Sequence, residues 1–170
     1  PIGMAAGFDR NGEIISELGA LGFGFVEIGT VTPNQQAGNP KPRVFRVDGD
    51  KAIINRVGLS SQGFERVISN IREGNKGVVI GCNIGKNSTT APEDAPHDYL
   101  RVFRNLYQYV DYFTVNVSYN TSFKQYVPRT RESIISILEP LFDFRRGQNQ
   151  YRPILLKISP DLSNEDIDMM

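Results

Sequence analysis

Five short apolar runs in this 170-residue chain each finish in groups that hydrogen-bond or carry charge. The first runs into Gly7-Phe8-Asp9-Arg10 and the second into Gly29-Thr30. The third ends at Asn83 and Gly85-Lys86-Asn87, the fourth at Asn116-Val117-Ser118, and the fifth at Lys157-Ile158-Ser159. Amides, hydroxyls and cations dominate this set, with Asp9 its one acid. Such groups recognise an anionic, heteroatom-rich ligand. They do not suit a two-carboxylate glycosidase or a carboxylate-built magnesium site. Lys157 stands out, because a lysine closing the apolar run "PILL" must be paired or functional to sit beside a core.

The elements that must position these groups follow from periodicity. Strands are expected at 2–8, 23–30, 77–85, 112–117 and 152–159. Helices are expected at 11–22, 61–74, 98–110, 131–146 and from 163 onward. Ile14, Ile15, Leu18 and Leu21 share one face of the first helix, and Phe64, Val67, Ile68 and Ile71 one face of the second, capped by Ser60 or Ser61. Leu100, Phe103, Leu106, Tyr107 and Val110 face inward on the third. Pro140 is expected to kink or break the fourth, and Ser163 with Asp166 to cap the fifth. Residues 31–60 read as a long connection carrying two short strand-like pieces, "RVFRV" and "KAIIN".

Strict strand–helix alternation implies a parallel sheet covered by helices, its strands buried on both faces. A doubly wound sheet and a (β/α)8 barrel both satisfy that pattern, and both bind ligands at the carboxyl ends of their strands. The chain opens directly into strand-like sequence and stops inside a helix, so a piece of a longer protein is expected.

Composition narrows the function. The formal net charge is zero, 22% of residues are charged and 39% hydrophobic, a globular balance without the basic footprint of a nucleic-acid binder. The single cysteine, Cys82, and the single histidine, His97, rule out an intramolecular disulfide and a thiolate or imidazole zinc site. A Ser-His-Asp site would rest wholly on His97, in the Pro-rich acidic stretch "APEDAPHDY". No run approaches a membrane span, and the opening is no signal peptide. "GCNIGKN" departs from a phosphate loop, with three residues between its glycines and Asn87 in place of the hydroxyl residue.

The ordered motifs "GMAAGFDRNGE", "GFGFVEIGTVTP", "GNPKPRVFR", "INRVG", "NIGKN", "NVS" and "LLKISPDLS" resemble the dihydroorotate dehydrogenase family, specifically its quinone-using class 2. The resemblance spans nearly the whole chain and is weakest over 119–150. It implies a (β/α)8 TIM barrel with FMN at its mouth, of which residues 1–170 would be about the first five units. The family's N-terminal helical quinone segment and last units would lie outside them. Ala5, Ala6 and Gly7 would pass their backbone beside the flavin; Thr30, Asn83 and Asn116 would hydrogen-bond it. Lys157 would stabilise the reduced ring. Arg10, Asn55, Arg56, Val57, Gly58, Leu59, Asn116 and Asn120 would hold dihydroorotate and its product orotate. A quinone would reoxidise the flavin, and the full-length protein would associate peripherally with the cytoplasmic face of a membrane.

The departures from the family lie near the chemistry. The family reads N-[VI]-S-S-P-N-T at the fourth strand, and its second serine is the base. Here Tyr119 takes that position without a gap, with Asn120 for the proline and Thr121 for the substrate asparagine. A one-residue deletion would instead restore Asn120 and Thr121 and leave Ser118 the only serine. A third reading is that residues are absent between Ser118 and Tyr119. Arg10 stands where the family has lysine, and Leu59 and Ser60 where it has phenylalanine and asparagine. Two rival functions accompany these departures. One is an FMN-binding barrel with altered or lost catalysis, serving as a binding or scaffold protein. The other is an inert barrel fragment.

Overall fold

A computed structural model describes residues 2–73, 77–118, 130–160 and 162–169. In chain order the elements are β1 (Gly3–Met4), α1 (Ile15–Ala20), β2 (Phe25–Val31), β3 (Val44–Val47), β4 (Ala52–Asn55), α2 (Phe64–Glu73), β5 (Val79–Ile84), α3 (Ala95–Leu106), β6 (Tyr112–Asn116), α4 (Arg131–Arg146), β7 (Ile154–Lys157) and α5 (Asn164–Met169). One parallel sheet runs β1-β2-β5-β6-β7, and β3 and β4 pair as an antiparallel hairpin in the connection after β2. The sheet order never reverses. A doubly wound sheet needs a reversal at its switch point, whereas sequential parallel order is the wall of a barrel.

Alternation along the strands gives the sheet two unlike faces. Val26, Ile28, Ile80, Cys82, Ile84, Phe113 and Val115 are buried on the face covered by the helices. The other face carries Glu27, Asn83, Thr114 and Asn116, but also Val79 and Leu155, which are 46% and 51% exposed. One face is apolar core, and on the other the polar side chains of Asn83, Thr114 and Asn116 are buried as well.

The helices follow their apolar stripes. On α3, Tyr99, Val102, Phe103 and Leu106 are fully buried. Phe103 meets Phe113 at 4.4 Å and Phe144 at 5.9 Å between ring centroids, which ties α3 to β6 and α4. Each such side chain contributes roughly 1.5–3 kcal/mol by leaving water. Sequence periodicity identified Phe103 and Leu106 but missed Tyr99 and Val102. On α1, Ile15 and Leu18 are buried, whereas Ile14 and Leu21 are exposed. The helix is shorter than expected, so those flanking residues lie outside its inward stripe.

Side-chain hydrogen bonds order the chain at several helix starts. Both carboxylate oxygens of buried Asp9 accept backbone N–H bonds, from Glu13 at 2.9 Å and Ile14 at 3.0 Å, at the entry to α1. Ser61, expected as a cap for α2, instead orders the turn before it: its hydroxyl accepts from the N–H groups of Gly63 and Thr32, and the first helical bond runs from Val67 to the Gly63 carbonyl. Ser163 and Asp166 exchange bonds as anticipated. The Thr130–Ser133 capping box on α4 was not anticipated. Pro140 does not end α4, which continues through it to Arg146. Buried Ile134, Ile137 and Leu141 anchor the helix on both sides of the proline. The carbonyl of Ser136, which Pro140 deprives of its donor, belongs to an exposed residue where water can satisfy it.

Candidate functional site

The carboxyl ends of β2, β5 and β6 bring Thr30, Asn83 and Asn116 together. These polar residues are buried, and burial demands that their hydrogen bonds be satisfied. The Thr30 hydroxyl donates to Asn83 Oδ1 at 2.6 Å and accepts from Asn116 Nδ2 at 3.1 Å. Asn116 Oδ1 accepts from the backbone N–H of Ser118 at 3.0 Å and from its hydroxyl at 2.7 Å. Tyr99 clamps the strand end by donating to the Asn116 carbonyl at 2.8 Å. Lys157 is the register partner of Asn116 on the neighbouring strand.

A cavity of about 410 Å³ adjoins this network, lined by residues that include Ala6, Gly7, Arg10, Gly29, Thr30 and Lys157. Its volume lies within the range of small-molecule sites. The hairpin and the turn after it close one side through Val44, Ile53, Asn55, Val57, Gly58, Leu59 and Ser60. Gly7 has φ +106° and no atom within 4 Å of where a Cβ would stand. Backbone there can approach a ligand closely. Gly29 is packed the other way: a Cβ would stand 2.4 Å from the Asn83 carbonyl oxygen, so glycine is needed to let β2 meet β5.

The remaining anticipated residues fall in different places. Ala5 is exposed and outside the lining. Arg56 also lies outside the lining; its guanidinium donates to the Pro42 carbonyl at 3.0 and 3.2 Å and holds the hairpin base. Arg10 lines the cavity while its Nε donates to the Gly7 carbonyl. Asn55 accepts the Val57 backbone N–H on its side-chain Oδ1 at 3.4 Å. Ser118 is half-buried beside Asn116. Tyr119, Asn120 and Thr121 lie outside the described residues. His97 is on the exposed side of α3, its side chain 83% accessible, and is not among the cavity residues.

Sequence reasoning missed Glu27. Its carboxylate accepts from Asn83 Nδ2 at 2.9 Å, Thr114 Oγ1 at 2.9 Å and Tyr112 OH at 3.2 Å. A signal was present, since an acid inside the apolar run "FVEIG" raises the same question as Lys157 inside "PILLK". Burial, and then the charge and hydrogen bond of Glu27, push the Tyr112 phenol far above its ordinary value. Burial and then Glu27 likewise raise the Cys82 thiol; fully buried on the core face, it is no nucleophile.

Comparison with known proteins adds an independent line. A family model described as dihydroorotate dehydrogenase matches residues 1–170. The dihydroorotate dehydrogenase (quinone) of Acinetobacter baylyi is 41% identical over 174 aligned residues, covering 100% of this chain and 52% of that protein. Its counterpart from Christiangramia forsetii is 44% identical over 167, covering 98% and 49%. Two crystal structures of DHODH from Eimeria tenella, one with ferulenol and one ligand-free, superpose with TM-scores of 0.86 at 32% and 33% identity. They match 98% of this chain and 51% and 52% of theirs. The chain spans about half the length of the curated relatives it matches.

Proposed function

The chain belongs to the dihydroorotate dehydrogenase family, and from that premise we propose that its rim cavity serves the oxidation of dihydroorotate to orotate in pyrimidine biosynthesis, with FMN and a quinone as successive electron acceptors. The family is a flavoenzyme class. The observation that carries the reading is the Thr30–Asn83–Asn116 cluster beside a cavity edged by Gly7 and Lys157. When bound, FMN supplies an acceptor for the hydride from C6 of dihydroorotate.

The residues present fit such a group. Ala6 and Gly7 put backbone, not bulk, against the cavity. Asn83 and Asn116 each use one amide proton within the network, so each keeps a second to donate. Thr30 donates once and accepts once, which leaves its oxygen one lone pair. Lys157 offers a cation against negative charge that develops during reduction. Arg10 and the side-chain amide of Asn55, both in the lining, suit an anionic substrate.

Removal of the C5 proton falls to Ser118 or to Tyr119. Ser118 donates its hydroxyl proton to Asn116, so it must turn from that acceptor or pass its own proton onward to work as a base. Tyr119 would have to lose a phenol proton with an ordinary pKa near 10. No helix among the described residues is long and apolar enough to cross a membrane. Peripheral attachment of the full-length protein to the cytoplasmic face of a membrane is part of this proposal and rests on the quinone-dependent relatives.

Stopped-flow spectra of the full-length flavoprotein mixed anaerobically with dihydroorotate test the reaction. Bleaching of the flavin band is expected. A flavin that binds but stays oxidised would favour the alternative of a binding or scaffold barrel.

A further inference from the structure

We propose that Glu27 is a positioning residue that orients the hydrogen bonds of the rim, all the way from β2 to Ser118. This rests on the flavin-binding reading of the cavity and extends it to a residue behind the lining.

Every bond in the chain has one allowed sense. An ionised carboxylate only accepts, so Asn83 must turn its Nδ2 to Glu27. Asn83 Oδ1 then faces Thr30, which donates to it. With its proton committed, Thr30 can only accept from Asn116 Nδ2. Asn116 Oδ1 is left to accept both the backbone N–H and the hydroxyl of Ser118. At the far end the Ser118 N–H can only donate, so the two ends demand the same polarity. Thr114 and Tyr112 hold the other carboxylate oxygen and stop Glu27 from turning away.

The consequence is that the spare lone pair of Thr30, which lines the cavity, is set before a ligand arrives, backed by the amides of Asn83 and Asn116 behind it. Groups fixed in advance cost no reorganisation on binding. Remove the acceptor, and Asn83 is free to flip its amide and present the wrong group to Thr30.

Glu27 acts in this scheme through reach and acceptor character, not through charge. Two substitutions separate those properties. Glu27→Gln keeps the length and an acceptor oxygen for Asn83, while its NH₂ faces two hydroxyls that can accept. Glu27→Asp keeps the charge but ends one methylene short. In full-length protein, titration of FMN followed by flavin fluorescence is expected to give E27Q within about threefold of wild type. E27D should bind at least tenfold more weakly, roughly the cost of leaving one buried donor unsatisfied.

E27D binding as tightly as E27Q, or both matching wild type, would overturn the proposal. A readout without flavin keeps it testable if the wild type fails to bind FMN or the variants fail to fold. The Asn83 side-chain NH₂ of the wild type should show slow solvent exchange by NMR, as a buried group committed to Glu27 requires. Fast exchange there would overturn the positioning role by itself. Slow exchange without FMN binding would retain the oriented network and sink the flavin reading instead.

Discussion

The loop after β5 and the end of β7 each place a lysine just past an apolar strand, and the structure treats the two oppositely. Lys86 is 3% exposed, and its ammonium donates to the carbonyls of Asn87 at 3.2 Å and Thr90 at 2.9 Å. Asp98 tightens the same loop by accepting from the Asn87 N–H at 2.8 Å and Thr90 Oγ1 at 2.6 Å. The Asn87 side chain reaches across to Asn34 and Gln36. The groups that made "GKN" look like a phosphate loop are thus spent on holding the loop itself. Lys157 is exposed and lines the cavity, and among the described residues no hydrogen bond or ion pair engages its ammonium. A cation serves structure when surrounding carbonyls use its donors, and is available to a ligand when they do not.

The largest expected effect sharpens this contrast. Lys157→Ala should slow flavin reduction in a stopped-flow assay of the full-length protein by about a hundredfold. Its unfolding free energy should shift by less than about 0.5 kcal/mol. A substantial loss of stability would erase the distinction from Lys86.

Next in size, Lys86→Met fills the same space but leaves two carbonyls without their donor. Urea unfolding should show a loss of about 2 kcal/mol, with the flavin reduction rate of the folded protein unchanged. Asp98→Asn retains one acceptor oxygen and should cost about 1 kcal/mol in the same experiment.

The smallest effect is a pH slope. Burial lowers the Lys86 pKa, and the nearby Asp98 charge partly opposes that shift. The unfolded chain therefore binds more protons between the lowered value and that of a free lysine. Stability contributed at this site must rise with pH across that window. Wild type should gain on Lys86→Met as pH climbs toward a free lysine's pKa, and a gap that narrows would refute the shift.

Much of this was legible in the linear order of residues. The alternation of strands and helices, the two strand-like pieces within 31–60, and the stripes carrying Val67, Ile71, Phe103 and Leu106 all depend on local periodicity. So did the placement of Thr30 and Lys157 at strand ends, where the cavity lies. The unbroken passage of α4 through Pro140 was not legible, because anchoring by Ile134 and Leu141 depends on a core assembled from other elements. The use of Asp9 to brace the turn before α1, rather than as an acid in the site, was hidden for a similar reason. Its partners are backbone groups that exist as a cluster only once the chain turns there.

Sequence by itself determined the order and kind of the main elements and which polar groups stand at the strand ends, since both follow from spacings of a few residues. Only the tertiary structure decided what each polar group does. Glu27 meets Asn83 across 56 residues of chain, and Asn116 meets Thr30 across 86. Burial and hydrogen-bond partnership are properties of neighbours in space. Whether a lysine becomes a strut or a ligand-facing cation therefore stays open until the parallel strands bring those neighbours together.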